Sequence, residues 1–441
     1  MPNAVATKVS TTNQQSGAWK QSIPFVVALA LIFFSRQYIR HIEVDWLNFI
    51  PVLATLYLIY FVIAPQRALN RSQFVQTAVS DDRSVRKPFG SFLFSRWFRS
   101  LLLFVLLLTT VEFGLRCLSF HRSLEYERVG DLLFTPVPNQ KYVEKISLSH
   151  SEVNNYGLRG ADLSPADFQG KEVILCLGDS ITYGYGVDDA HTYPAELQKA
   201  LDQKFPGHYL VLNAGTNAYP MSFEDQRFLY LWNMGLRPQV VIVGYSMNEG
   251  WLGNMVDKDA KTKDEFGQRV KFKNFLRGFA FYNLVVENWA RNYYNHVKGK
   301  FVPGTNRLTL SPEEMDSRYE GYLDRIVGHL KSRNVEPIFL LFAGYNGQTH
   351  RYDTLGPFEA RFEAYAKSHN IPIMRSEDVL RVGEPANATL ENYFIDQAHM
   401  NESGTVKVAG ALANFLPGAI NAENNTAPSN QRSALATPAG H

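Results

Sequence analysis

The stretch Val173–Thr182 reads Val-Ile-Leu-Cys-Leu-Gly-Asp-Ser-Ile-Thr, and it decides the fold. It begins as an apolar run with β-branched residues, which is typical of a strand buried on both faces. The run stops at Gly178, and Asp179 and Ser180 follow where the chain must turn. Side chains just beyond such a strand lie at the edge where open α/β sheets bind ligands. The stretch therefore predicts a functional serine at position 180, with an ordinary helix N-cap as the structural alternative.

Apolar runs alternate with helical periodicity from residue 171 onward. This alternation predicts an α/β fold in which helices cover both faces of a parallel sheet. The expected strands are 172–177, 208–213, 239–244, 336–342 and 371–374. The expected helices are 191–205, 222–234, 311–333, 356–369 and 403–416.

The N-terminal part of the chain is far more apolar than the rest. After a polar, disordered stretch 1–18, residues 19–118 are predicted to form a membrane anchor of two to three transmembrane helices. The segments 46–64 and 98–117 have the length and composition of spans. The run 21–38 reaches spanning length only if its flanking charges lie in the interfaces. A cleaved signal peptide is the alternative for this run, although no convincing small-residue cleavage site precedes Arg36.

The loop between the last two spans sets the orientation. It carries seven basic residues, Arg67, Arg71, Arg83, Arg86, Lys87, Arg96 and Arg99, against Asp81 and Asp82. By the positive-inside rule this loop is cytoplasmic. The sequence thus predicts a multi-pass protein of the cell membrane whose domain after residue 118 lies outside the cytoplasm, in the periplasm or the extracellular space.

Three further segments complete the expected organisation. Residues 119–170 form an extended connector that has room for one short strand within 119–150. Within the connector, Arg159 is either a substrate-binding residue or part of a structural ion pair. Residues 419–441 form a solvated tail. An insertion at 251–300 is rich in aromatics: Phe272, Phe275, Phe279, Phe281, Tyr282, Trp289, Tyr293 and Tyr294. We expect most of these rings to form core or a lid over the site, with a membrane-facing patch as the alternative.

Composition excludes several classes of function. The chain has 44 Lys and Arg against 42 Asp and Glu, so no overall field points to nucleic acid. Its two cysteines, Cys117 and Cys176, indicate neither a disulfide framework nor a zinc site. No pattern of metal ligands or of cofactor binding is present in the sequence.

Three later stretches place polar groups beside the first. Gly215 ends one predicted strand and lets the backbone approach a ligand closely, although it could be a plain turn glycine. Asn248 follows the next strand, where its amide could donate to an oxyanion, or it could be a loop residue. Asp396 and His399, three residues apart, can meet so that the carboxylate holds one imidazole nitrogen and leaves the other as a base.

In these four blocks the sequence resembles the SGNH/GDSL hydrolases, a family of serine esterases and lipases. The matching residues are Gly178-Asp179-Ser180-Ile181-Thr182, Gly215 within Asn-Ala-Gly, Asn248, and Asp396 with His399. The resemblance covers roughly residues 150–418, and it implies a flavodoxin-like, three-layer α/β/α domain, expected over 171–418. The connector run 155–160 (Asn-Tyr-Gly-Leu-Arg-Gly) also looks like the lead-in of membrane-anchored bacterial members.

The resemblance also implies roles for single residues. Ser180 would be the nucleophile, His399 the general base and Asp396 its orienter; the oxyanion hole would consist of the Ser180 and Gly215 N–H groups and the Asn248 side chain. Two positions depart from the pattern of the third block, where Ser246 and Glu249 replace Gly and Asp. Because of these departures, the resemblance does not determine the backbone geometry around Asn248.

The sequence thus predicts a membrane-anchored serine esterase that hydrolyses an acyl ester, acetyl included, of a small molecule, lipid or glycan. One alternative uses the same serine to modify envelope polysaccharide, as an O-acyltransferase or deacetylase. A second alternative is a non-catalytic glycan-binding or assembly protein on the same fold. The acyl length and the alcohol part of the substrate are not encoded in any recognisable motif.

Overall fold

The computed structural model describes residues 50–59, 96–118, 123–144, 150–245, 260–290, 312–347, 349–354 and 357–424. All of them belong to one compact unit, Val44–His441. The predicted disordered start 1–18, the candidate span 21–38, most of the basic loop and the end of the tail lie outside the described residues.

Two helices precede the α/β domain: α1, Ile50–Ile59, and α2, Arg96–Cys117. Among the described residues, one helix is long and apolar enough to cross a membrane, over Ser100–Cys117, with a mean hydropathy of 1.8. Helix α1 is the described part of the predicted span 46–64. The Thr110 hydroxyl of α2 donates to the Thr55 hydroxyl of α1 at 3.0 Å, so the two helices are in contact.

The predicted extended connector instead contains four short strands. They form two antiparallel hairpins: β1 (Tyr126–Val129) with β2 (Leu132–Pro136), and β3 (Gln140–Val143) with β4 (His150–Val153). Phe134 of β2 packs edge-on against Tyr219 and Phe223 of the α/β domain. Strands of four or five residues show little periodicity, and β2 packs against residues about 85 positions away, so the local sequence did not reveal all four strands.

A five-stranded parallel sheet forms the centre of the domain, in the order β11-β8-β7-β5-β6. Its strands are β5 (Glu172–Leu177), β6 (Tyr209–Asn213), β7 (Val240–Gly244), β8 (Glu336–Leu341) and β11 (Ile373–Arg375). Along the chain, the segment that connects β8 to β11 contains a separate antiparallel hairpin of β9 (Gly344–Asn346) and β10 (Arg351–Asp353). The predicted strands agree with the observed ones to within two residues.

Helices cover both faces of this sheet. The helices that follow β4 are α3 (Ser180–Tyr183), α4 (Tyr193–Lys204), α5 (Met221–Asn233), α6 (Ala260–Arg277), α7 (Ala280–Tyr282), α8 (Pro312–Lys331), α9 (Pro357–Ser368), α10 (Ser376–Arg381) and α11 (Glu402–Asn424). Of these, α6 packs against the first hairpin and α7 against α2 rather than on the sheet. A π-helical segment, Asn283–Ala290, follows α7, and single 3₁₀ turns occur at Pro165–Phe168, Asp189–His191 and Glu391–Tyr393.

The side chains of β5 alternate between two buried cores. Leu175 and Leu177 belong to the core with α5, α8 and α9, whereas Ile174 and Cys176 belong to the core with α4, α10 and α11. This alternation is the period-two pattern of a strand buried on both faces. The three-layer α/β/α arrangement predicted for the domain is therefore confirmed.

The last helix is longer than predicted. We expected it over 403–416 with a solvated tail after Pro417, but α11 continues through Pro417 to Asn424. A proline inside a helix removes one hydrogen bond and favours its end. Here Leu416 and Ala419, on either side of Pro417, are buried in the core of α4 and α11, and this packing outweighs the local preference.

The aromatic insertion does not form core at the four phenylalanines expected there. Phe272, Phe275, Phe279 and Phe281 are all exposed, so the core interpretation is wrong for them. Tyr282 is half-buried, and the side chain of Trp289 together with Tyr293 and Tyr294 lies outside the described residues.

Candidate active site

Ser180 begins a single turn of helix, and two residues separate it from the end of strand β5 at Leu177. Asp179 is the N-cap of this turn, and its carboxylate accepts a hydrogen bond from the Ile181 N–H at 2.8 Å. A Cβ atom on Gly178 would lie 2.0 Å from the Thr182 hydroxyl, so only glycine fits at this sharp bend. Asp179 thus caps the turn and the partly buried Ser180 is its first residue, so a helix cap and a serine at the end of the strand occur together rather than as alternatives.

The His399 side chain meets Ser180 from the loop before α11. The Nε2 atom of His399 lies 2.8 Å from the Ser180 Oγ, and its Nδ1 atom lies 2.8 Å from the Asp396 Oδ2. The two residues come from positions 219 apart in the chain. The ring of Tyr185 packs against the imidazole, with the centroids 4.8 Å apart.

The loop around Asp396 is held by its own carboxylate. The Asp396 Oδ1 accepts hydrogen bonds from the N–H groups of Ala398 and His399, both at 2.9 Å. The Ile395 N–H donates to the His399 carbonyl at 2.8 Å, which closes the turn. This turn brings residues 396 and 399 together as the spacing predicts.

Asp396 is strongly biased towards its charged form. Partial burial alone would raise the pKa of this carboxyl, but hydrogen bonding to His399, attraction to the His399 ring and two backbone N–H donors outweigh it. Together they lower the pKa of Asp396 from 3.8 to about 2. The carboxylate is therefore anionic at neutral pH and favours a proton on the adjacent Nδ1 atom of His399.

Gly215 lies against the backbone of the Ser180 turn. A Cβ atom at this position would be 2.2 Å from the Tyr183 N and 2.6 Å from the Thr182 carbonyl carbon, so a larger residue cannot fit without displacing α3. In the structure the Gly215 N–H donates to the Asn213 side-chain oxygen at 3.0 Å. Gly215 is thus brought to the site, but its N–H already has an acceptor; Asn248, Ser246 and Glu249 lie outside the described residues.

Arg159 is a structural residue beneath the site rather than an exposed substrate-binding group. Its guanidinium is buried and pairs with the Asp189 carboxylate at 2.7 Å. It also donates to the carbonyl oxygens of Tyr183, Gly184 and Val187, at 2.8, 2.7 and 2.8 Å. The ion-pair alternative from the sequence is therefore correct, and the arginine fixes the segment that follows the Ser180 turn.

Asn213 and Tyr185 contact the site without having been singled out as site residues in the sequence. The Asn213 amide nitrogen donates to the Tyr183 carbonyl at 3.3 Å while its oxygen accepts from Gly215, so it connects the two strand ends. In the sequence, Asn213 could have been recognised as the polar residue at the end of the apolar strand β6. Tyr185 offered only an aromatic ring in a glycine-rich segment, which has no specific meaning in a sequence.

One cluster among the described residues has the geometry of possible metal ligands. Ligand atoms of Asp188, His191 and Glu402 lie within 4.8 Å of one another. The Asp188 carboxylate accepts from the His191 N–H at 3.0 Å, and the His191 Nδ1 lies 2.8 Å from the Glu196 Oε1. These contacts belong to the capped turn before α4 and account for the positions of Asp188 and His191.

The chain has a clear family match. The profile of the GDSL-like lipase/acylhydrolase family matches residues 176–405, which is more than half of the chain and includes Ser180, Gly215, Asn248, Asp396 and His399. No curated protein matches this chain.

Several solved structures are similar at low sequence identity. LAE5, an α/β hydrolase from the metagenome of Lake Arreo in Spain, is 17% identical, with 57% of this chain and 97% of that chain covered and a TM-score of 0.35. A putative G-D-S-L lipolytic protein from Desulfitobacterium hafniense is 16% identical (56% and 99% covered, TM-score 0.32). The acetyl xylan esterase AlAXEase is 14% identical (56% and 99% covered, TM-score 0.33). On the family match, this chain belongs to the GDSL-like lipase/acylhydrolases and is a hydrolase acting on ester bonds.

Proposed function

We propose that this chain is a membrane-anchored serine esterase that hydrolyses an acyl ester outside the cytoplasm. Ser180 is the nucleophile, His399 the general base and Asp396 the group that orients it. The observation that carries the proposal is the unbroken series of 2.8 Å contacts from the Ser180 Oγ through both nitrogens of His399 to the Asp396 carboxylate. A nucleophile, a base and an orienting acid in mutual hydrogen-bond reach are what acyl transfer through a serine requires.

The reaction follows from these contacts in two steps. The Ser180 Oγ attacks the ester carbonyl carbon while its proton passes to the His399 Nε2. The tetrahedral intermediate then expels the alcohol, which leaves with the proton held by His399, and an acyl-serine remains. Water, deprotonated by His399, attacks the acyl carbon and releases the carboxylic acid, so that Ser180 regains its proton. Asp396 stabilises the imidazolium that exists in both steps.

Three donors are proposed to stabilise the oxyanion: the N–H groups of Ser180 and Gly215 and the side chain of Asn248. Ser180 is the first residue of α3, where a backbone N–H has no partner within the helix. The Gly215 N–H bonds to Asn213, so an oxyanion must compete with that amide oxygen. A charged acceptor makes the stronger hydrogen bond, and the N–H can therefore turn to the oxyanion as the charge develops.

The anchor is proposed on the N-terminal helices. Helix α2 combines a mean hydropathy of 1.8 over Ser100–Cys117 with a surface of which only Cys117 is fully buried, which suits a lipid environment. The bond between Thr110 and Thr55 is of the kind that joins helices within a bilayer. Together with the basic loop before α2, these features support a multi-pass anchor with the α/β domain on the far side of the membrane.

Ester hydrolysis by the full chain in detergent tests the catalytic proposal. We expect turnover of p-nitrophenyl esters, with an acyl-length profile that separates an acetyl esterase from a lipase. Ser180→Ala should abolish turnover, whereas Ser332→Ala, an exposed serine at the opposite edge of the sheet, should leave it unchanged. Turnover that survives in a folded Ser180→Ala protein would refute the assignment. Product analysis with a sugar acceptor distinguishes hydrolysis from transfer.

A further inference from the structure

Helix α6 and the turn after it carry large aromatic side chains on the outside of the protein. Phe272 is 62% exposed, Phe275 63%, Phe279 42% and Phe281 48%. The rings of Phe275 and Phe279 touch each other, with centroids 5.4 Å apart. We call these four residues the phenylalanine patch. Clusters of exposed large apolar side chains usually mark a contact with another protein or a membrane.

The opposite side of α6 fixes which way the patch points. The Asn274 side chain donates to the Tyr126 carbonyl at 2.5 Å and accepts from the Tyr126 N–H, and Phe266 and Val270 pack on the buried cluster of β2. Residues 266, 270 and 274 lie one turn apart on one face, whereas 272, 275 and 279 recur on another. The patch therefore cannot turn inward without breaking the contact with β1.

The patch is continuous with the C-terminal end of the apolar helix α2. The Glu112 carboxylate accepts from the Ala280 N–H at 2.9 Å and from the Phe281 N–H at 3.0 Å. The Arg116 guanidinium pairs with Glu112 at 2.7 Å and donates to the Gly278 carbonyl at 2.6 Å. These bonds attach the C-terminal end of the patch, residues 278–281, to the last two turns of α2, the level at which a spanning helix would leave the bilayer.

The charges around the patch fit a lipid surface. Helix α6 holds six basic residues and two acidic ones. Exposed Arg269 and Lys271 lie on either side of the phenylalanine face. Aromatic rings flanked by basic side chains are typical of helices that lie in the interfacial layer of membranes with anionic lipids.

We infer that the phenylalanine patch is inserted into the headgroup region of the same membrane that α2 crosses, so that the α/β domain is held against the lipid surface at a second point. The occupant is a phospholipid layer with anionic headgroups. This inference rests on the anchor of the proposed function but not on its catalytic residues.

A fluorescent reporter of lipid contact tests the inference on the full chain in vesicles of phosphatidylcholine and phosphatidylglycerol. An NBD label is attached at Phe275→Cys, and a matched label at Val382→Cys, a residue that is 70% exposed in the α/β domain. The native Cys117 and Cys176 are buried, and the unsubstituted chain gives their background. We expect nitroxide lipids labelled near the headgroup to quench the emission at 275 and aqueous iodide to quench the emission at 382.

The other outcomes refute the inference in distinguishable ways. If iodide rather than lipid nitroxide quenches the label at 275, the patch faces water although the anchor holds. If the label is shielded equally in detergent and the shielding grows with protein concentration, a second copy of the chain covers the patch. If an alkaline carbonate wash removes the chain from the vesicles, the anchor itself fails, and the inference fails with it; esterase activity is unaffected by any of these results.

Discussion

Asp396 is the residue whose ionisation the site depends on most. Its pKa is lowered to about 2 because the bonds to His399 and to two backbone N–H groups outweigh partial burial. A carboxyl whose pKa is lower in the folded than in the unfolded chain stabilises the fold above the unfolded value, about 3.9 for Asp, and this contribution is lost as the pH falls through the folded value. At pH values well above about 4, Asp396 therefore makes its full contribution to the stability of the fold.

We predict that wild type melts at a higher temperature than Asp396→Asn at neutral pH, and that this difference shrinks as the pH falls from about 4 towards about 2. Melting curves of both proteins over that range are the measurement. The same variant should lose turnover by on the order of 10⁴-fold, because the amide no longer holds the required tautomer of His399. A difference in melting temperature that stays constant with pH would contradict the role of this carboxylate.

Single residues were predictable where they interrupt a strong pattern. Ser180 follows an apolar strand abruptly, and the Asp396–His399 spacing matches one turn, so the sequence predicted residues that the fold brings together. The role of Arg159 could not be decided from the sequence, because its five acceptors lie in two other segments of the chain, at residue 151 and within 183–189. Likewise, no sequence pattern states that Asn213 accepts the Gly215 N–H.

Among the structural elements, the turn of α3 is held between Gly215 on one side and the Arg159 guanidinium on the other. Gly215→Ala should destabilise the protein by about 1–3 kcal/mol and reduce turnover, since a Cβ would overlap the Tyr183 backbone. Gly410→Ala is the matched control, because its Cβ would meet nothing within 4 Å and alanine favours α11. Urea unfolding of both variants is the measurement; equal stabilities would mean that α3 can move aside.

Arg159 should matter to the same element through its bonds. Arg159→Met leaves buried carbonyl oxygens of residues 183, 184 and 187 without their donor, so we expect a loss of about 3 kcal/mol or more. Arg159→Lys should restore little, because one ammonium group cannot reproduce the planar fork. Arg237→Met is the control, since Arg237 is exposed and also donates to carbonyls. If urea unfolding gives Arg159→Met and this control the same stability, Arg159 does not stabilise the segment after the Ser180 turn.

Elements were predictable where they are long or buried on both faces. The five parallel strands had apolar runs that need no partner to be recognised, and their bounds were found closely. The hairpins of 126–153 were not, because strands such as β1 and β2 are only four or five residues long. Helix α11 ran past Pro417 because buried Leu416 and Ala419 outweigh a local stop signal.

At the scale of the whole molecule, the α/β domain and the basic loop 65–99 should lie on opposite sides of the membrane that the proposed anchor crosses. In sealed vesicles with the α/β domain outside, we predict that an impermeant maleimide reacts with a cysteine at exposed Val382 but not with one placed in the loop. Detergent should make both sites reactive. Labelling of the loop before detergent is added would reverse or remove the proposed topology.

The sequence was least informative about how its parts combine. The aromatic insertion was expected to form core or a lid over the site. Instead Phe272 and Phe275 are exposed, since the side of α6 that carries Asn274 is the one bound to β1. The composition of a segment gives its apolar content but not the face that its neighbours leave uncovered.

Covalent labelling of Ser180 is the most direct test of the central claim, that this residue is an activated nucleophile. The full chain in detergent is treated with a fluorophosphonate probe, and the modified peptide is located by mass spectrometry in wild type and in His399→Ala. We predict that the probe is found on Ser180 in wild type and that labelling is strongly reduced without His399, whose Nε2 lies 2.8 Å from the Ser180 Oγ. A folded wild type that takes up no probe at Ser180, or that labels equally without His399, would contradict the account.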